Sequence, residues 1–135
     1  MITLLLILWV AAQQGVEFVP ARVLNAAMGK TPAVPVVKSE HYSVMGLRRT
    51  SPGESEVHEK DTDVFYIIDG TATFVTGGKV LGGRTTAPGE IRGTGIEGGE
   101  TRTLSKGDVI TIPNGVPHQF SAVTGAVSYF VVKVR

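Results

Sequence analysis

The sequence contains no cysteine. Disulfides, thiolate zinc sites, iron–sulfur clusters and cysteine nucleophiles are therefore excluded, and any metal must be held by imidazole, carboxylate and water. Aromatic residues are few, at 7% with a single Trp, and charged residues make up only 19%. The charges nearly cancel: 13 Lys and Arg against 12 Asp and Glu leave a formal charge of +1, with no basic run. A dedicated nucleic-acid binder needs a cationic stripe facing the phosphates, so that class is set aside. Long apolar runs are missing too. The longest, Leu4 to Ala12, is about half the length that a membrane-spanning helix requires. What is plentiful is glycine and proline, 17 and 7, or 24 of 135 residues. With 42% apolar residues the chain can bury a core, and its length suits one domain. This composition reads as a turn-rich β protein.

The run from Leu4 to Ala12 has the size of a signal-peptide core. Val10 and Ala12 offer small residues at the −3 and −1 positions for cleavage before Gln13, although no Lys or Arg precedes the run. Residues 1–12 are thus expected to be a signal peptide directing a periplasmic or secreted protein, with no membrane contact after its removal. The alternative is a cytoplasmic protein whose apolar N-terminal strand packs across a dimer partner. Residues 13–35 form a lead-in with one short helix over Pro20 to Met28, with Pro20 at the first helical position and Gly29 in the left-handed C-terminal position. Thr31-Pro32-Ala33-Val34-Pro35 breaks the chain.

From Val36 onward short strands alternate with turn clusters. Strands are expected at His41–Leu47, Glu54–His58, Thr101–Leu104, Val109–Ile112, His118–Ala122 and Val127–Val134. The plainest local signal is Asp69-Gly70 between the runs Asp63–Ile68 and Thr71–Val75, which predicts a two-residue hairpin. Between Val75 and Thr101 the chain is loose and glycine-rich, an expected long and partly ordered excursion. Many short strands with one peripheral helix imply a sandwich or barrel.

Gly107, Pro113, Gly115 and His118 stand at the spacing of a turn, a buried strand, a Pro-x-Gly turn and a strand that re-enters at a histidine. This segment resembles the second motif of the cupin superfamily, with Ala122 where the motif closes on Asn. The family's first motif runs His-x-His, three or four residues, Glu, six residues, Gly. Here Asp63 and Gly70 reproduce its final spacing, His58 precedes Asp63 with four residues between them, and the first-histidine position falls on Glu56. A competing register starts at His58 and puts Lys60 in the second-histidine position.

The resemblance, over about Val36 to Val134, implies an all-β double-stranded β-helix, a jelly-roll barrel spanning 36–135, commonly a homodimer. It implies a divalent metal at Glu56, His58, Asp63 and His118. Residues two apart on a strand share a face, so Glu56 and His58 project together. Two imidazoles and two carboxylates suit Mn(II), Fe(II), Ni(II) or Zn(II). His41, Lys60, Phe65, Phe120 and Tyr129 are candidates for lining the pocket. The expected partner is a small organic molecule, undergoing oxygenation, isomerisation or elimination; the alternative is a non-catalytic module that binds a small ligand or metal.

Overall fold

The computed structural model describes residues 15–135; the expected signal peptide lies outside them. One helix, α1 (Ala21–Met28), precedes eleven strands: β1 (Val37–Lys38), β2 (Tyr42–Arg49), β3 (Ser55–His58), β4 (Thr62–Thr76), β5 (Lys79–Leu81), β6 (Arg84–Ala87), β7 (Glu90–Gly93), β8 (Gly95–Glu97), β9 (Glu100–Ser105), β10 (Val109–Ile112) and β11 (His118–Val134). Pro20 stands at the N-cap, one residue ahead of the first helical position expected for it, and Gly29 sits at φ −90° rather than in the left-handed region. The helix lies on β2 at Gly46, where a Cβ would come within 2.7 Å of the Leu24 side chain. No helix among the described residues is long and apolar enough to cross a membrane.

Two long antiparallel strands organise the jelly roll. β11 pairs with β4 over nearly the whole length of both. On its other edge β11 meets β2 through Val127–Val134 and touches β3 at its start, His118 opposite Glu56. β4 carries β10 on its first half and β9 on its second. The expected Asp69-Gly70 hairpin is replaced by continuous strand: β4 runs straight through both residues because each half pairs with β11 instead of with the other. Gly70 is still needed, at φ +84°, because the bulge on β11 brings the Ala126 carbonyl against it. Bulges of this kind bend a strand and let one long ribbon serve both halves of a barrel.

The core lies between these layers. Phe65, Ile67, Ala72, Phe74, Leu104, Ile112, Phe120, Val127, Tyr129 and Val131 form one cluster. Its aromatic centre is tight, with Phe65 and Phe120 stacked at 5.9 Å and Phe74 edge-on to Phe120 at 4.8 Å. The glycine-rich excursion is more ordered than expected. β7 pairs with β3 and β6, and β5 with β8, so strand pairing rather than side-chain bulk organises it.

Candidate metal centre

Strand parity decides which side chains meet at the open end of the core. On β2 the inward row is Met45, Leu47, Arg49; on β11 it is Tyr129, Val131, Lys133; on β4 it begins Asp63, Phe65. These line one cavity of about 140 Å³ together with Glu56, His58, Arg92, His118 and Phe120. A single water needs roughly 10–15 Å³, so the cavity has room for a small organic molecule.

Glu56, His58 and His118 bring donor atoms within 4.8 Å of one another. Glu56 Oε2 lies 3.5 Å from His58 Nε2 and 3.6 Å from His118 Nε2. Ligand bonds of about 2.0–2.2 Å to a divalent ion leave neighbouring ligand atoms roughly 3.0–3.5 Å apart, so these spacings fit one ion. Both imidazoles are set for it through their other nitrogen. His58 Nδ1 pairs with Glu90 Oε2 at 2.5 Å, and His118 Nδ1 lies 3.2 Å from the Val116 carbonyl. With Nδ1 donating, each Nε2 presents a lone pair to the cavity, the usual support for a metal-binding histidine. His118 Nε2 is buried with no hydrogen-bond partner among the described residues. An orphaned buried nitrogen is costly, and a metal ion would satisfy it. The donor set therefore fits a divalent metal.

Asp63 is brought to the same place, its Oδ2 lying 3.3 Å from His58 Nε2 and 3.8 Å from His118 Nε2. Both of its oxygens, however, accept from Lys133 Nζ, at 2.8 and 2.9 Å. The same ammonium lies 3.0 Å from His58 Nε2. Lys133 stands directly opposite Asp63 across β4 and β11, which makes the contact a property of the register.

The electrostatics follow from this crowding. Burial opposes ionisation of Glu56, but the adjacent imidazoles of His118 and His58 and the charge of Arg92 outweigh it and hold its pKa far below the ordinary carboxylate range. Asp63 moves the same way: burial raises its pKa, and His58 and Lys133 more than reverse that. Burial disfavours the His58 imidazolium, yet Asp63 and Glu56 push its pKa up to about 10 against opposition from Lys133. Without a metal, His58 Nε2–H turns to a carboxylate and Lys133 holds Asp63. When His58 is neutral, its Nε2 accepts from Lys133.

A family model, described as cupin, matches residues 47–135. The chain belongs to the cupin family. Among curated proteins, none matches this cupin by sequence. Several solved structures share its fold. A Neisseria meningitidis protein aligns at TM-score 0.60 and 12% identity, covering 88% of this chain and 100% of its own. Hydroquinone 1,2-dioxygenase from a Sphingomonas species, with 4-hydroxybenzoate bound, aligns at TM-score 0.60 and 18% identity, covering 90% and 81%. A DMSP lyase from Ruegeria pomeroyi aligns at TM-score 0.52 and 17% identity, covering 72% of this chain and 40% of that one. At these identities the likeness is one of fold.

Within the cupin site, the residues expected from sequence separate into two groups. Phe65, Phe120 and Tyr129 line the cavity beside Glu56, His58, Asp63 and His118. His41 and Lys60 do not. His41 is exposed in the bend before β2, and Lys60 is exposed beyond the end of β3, in a turn that frees it from strand alternation; its stem packs near Gly89 instead. Three site residues are not singled out by the sequence: Glu90 and Arg92 lie in the glycine-rich stretch expected as an excursion, and Lys133 lies near the end of an expected strand. Its signal was parity, since it continues the inward row Tyr129, Val131. Arg92 Nε reaches Glu56 at 3.6 Å and its Nη1 reaches Glu90 at 3.3 Å.

Proposed function

We propose that this cupin binds a divalent metal, Mn, Fe, Ni or Zn, through Glu56, His58 and His118, with Asp63 beside them, and acts on a small organic molecule held in the adjoining cavity. The observation that carries the reading is the buried, partnerless Nε2 of His118, aimed at Glu56 and within reach of the His58 donor. A bound divalent ion would supply Lewis acidity or an activated oxygen ligand. The chain's own residues provide the rest. Glu90 and the Val116 carbonyl fix the imidazole orientations. Phe65, Phe120 and Val131 exclude water from one side. Tyr129, whose pKa is raised by burial despite the nearby Arg49, keeps its phenolic proton for donation. Lys133 and Asp63 form an ion pair beside the donor atoms. Fold neighbours named for dioxygenase and lyase activities make oxygenation or elimination the reactions to assay first, with isomerisation next.

A second reading has its own observation. Lys133 Nζ already satisfies Asp63 and approaches His58 Nε2, as expected of a pocket that binds a small ligand without metal or catalysis. Metal analysis after dialysis against Mn(II), Fe(II), Ni(II) and Zn(II) in turn decides between them. The expected result is one ion per chain for at least one metal, lost in His118→Ala. Substoichiometric loading by all four overturns the metal reading.

A further inference from the structure

Besides His58, which is surrounded by carboxylates, three cationic side chains line the cavity, and two of them are spoken for. Lys133 is bound to Asp63, and Arg92 to Glu56 and Glu90. The remaining lining carboxylate, Glu54, is turned to Arg84 outside the cavity at 2.9 Å. Arg49 alone has no ion-pair partner among the described residues, and its Nε is buried without any hydrogen-bond partner. Residues 1–14 contain neither Asp nor Glu, so they cannot supply a side-chain carboxylate. The guanidinium is nevertheless held in place. Its Cζ sits 5.3 Å from the centroid of the Phe120 ring, a favourable cation–π placement. On another side it rests on Gly53, where a Cβ would come within 2.5 Å of Nη1. The Gly53 backbone is itself tied down, its N–H donating to the Phe120 carbonyl and its carbonyl accepting from Gln119 Nε2. An oriented, partly desolvated guanidinium lacking an anion in an otherwise charge-matched cavity is arranged to take one from a ligand, and its planar donors suit a carboxylate.

We infer that Arg49 is the anchor for a carboxylate on the small molecule this cavity binds. The substrate class is thus a small organic acid with an apolar body, its carboxylate on Arg49 and its body against Met45, Leu47, Phe120 and Val131. This deepens the proposed function by naming the substrate class, and rests on its reading of the cavity as the small-molecule site. Glu56, His58 and His118 line the same cavity, so a ligand anchored at Arg49 shares it with them.

The test uses the full chain freed of metal with a chelator, so that no carboxylate binds through an ion. Propionate, cyclohexanecarboxylate and benzoate are titrated calorimetrically against the matching neutral amides, and metal loading is measured on separate aliquots. At least one acid is expected to bind roughly tenfold or more tightly than its amide. Arg49→Gln is expected to remove that preference while still loading metal, and Arg49→Lys to retain part of it. The wild-type comparison does not depend on either variant folding. Binding of no acid, equal binding of acids and amides, or an undiminished preference in a folded Arg49→Gln protein overturns the anchor. Arg49-dependent acid binding without metal loading supports the anchor and overturns the metal reading. Metal loading without acid preference does the reverse.

Discussion

Lys133 binds both oxygens of a carboxylate that is only 2% exposed, so removing it strands a buried charge. Lys133→Met is expected to destabilise the metal-free protein by about 3–5 kcal/mol. Saturating metal should raise the melting temperature of the variant more than that of the wild type, because the freed Asp63 carboxylate then faces the ion. Equal metal-induced shifts in thermal melts would mean that Lys133 does not compete for the site. Glu56 and Lys60 make a sharper pair. Glu56→Ala is expected to weaken metal binding by at least the roughly 10–100-fold that follows loss of a residue supporting a ligand. Lys60→Ala, an exposed change outside the cavity, should leave it unaltered. The opposite result in metal titrations would restore the register that begins at His58.

The metal-free protein also has a defined pH window. Glu56 and Asp63 have folded pKa values below their ordinary 4.5 and 3.8, so their stabilisation is complete above those values and is lost as pH falls through the depressed ones. His58 is raised from 6.5 to about 10, so its contribution is complete below 6.5 and is lost as pH rises toward 10. Melting temperature should therefore be highest between about pH 4.5 and 6.5 and fall on both sides. A flat profile from pH 6.5 to 10 would show that His58 is not held as an imidazolium.

At the scale of elements, the bulge at Gly70 joins the two halves of the barrel. An alanine there would place its Cβ 1.9 Å from the Ala126 carbonyl oxygen at a φ of +84°. Gly70→Ala should cost more than the roughly 1–3 kcal/mol of a strained backbone alone, measured by denaturant unfolding. Gly115, at φ +80° with open space around it, should cost only about 1 kcal/mol when changed to Ala. The same bulge shows why local reading failed here. Asp-Gly between two β-branched runs is a sound hairpin signal, but pairing of both runs with β11, far along the chain, satisfies the same backbone groups over a longer ladder. Alternation within β3, β4 and β11, by contrast, was legible: Glu56 with His58, and His118 with Phe120, share faces as their spacing requires.

Across the whole molecule, the motif segments carried the family and most of the donor set, while the stretch between them hid half of the site's electrostatics. Glu90 and Arg92 sit among glycines with only Ile91 to suggest a strand, and pairing with β3 alone brings them to His58 and Glu56. The leader is tested at this scale too. If residues 1–12 are a signal peptide, the intact mass of the mature protein begins at Gln13; a mass that includes Met1 would favour the cytoplasmic alternative.

By itself the sequence determined the all-β class, the absence of sulfur ligands and the glycine, histidine and carboxylate positions of the two motifs, because these depend on residue type and short spacing. The tertiary structure alone decided that Lys133 sits on Asp63, that Arg92 and Glu90 close around the histidines, and that Arg49 has no anion. Those outcomes depend on register between strands far apart in the chain, where a shift of one residue would turn every one of these side chains to the other face.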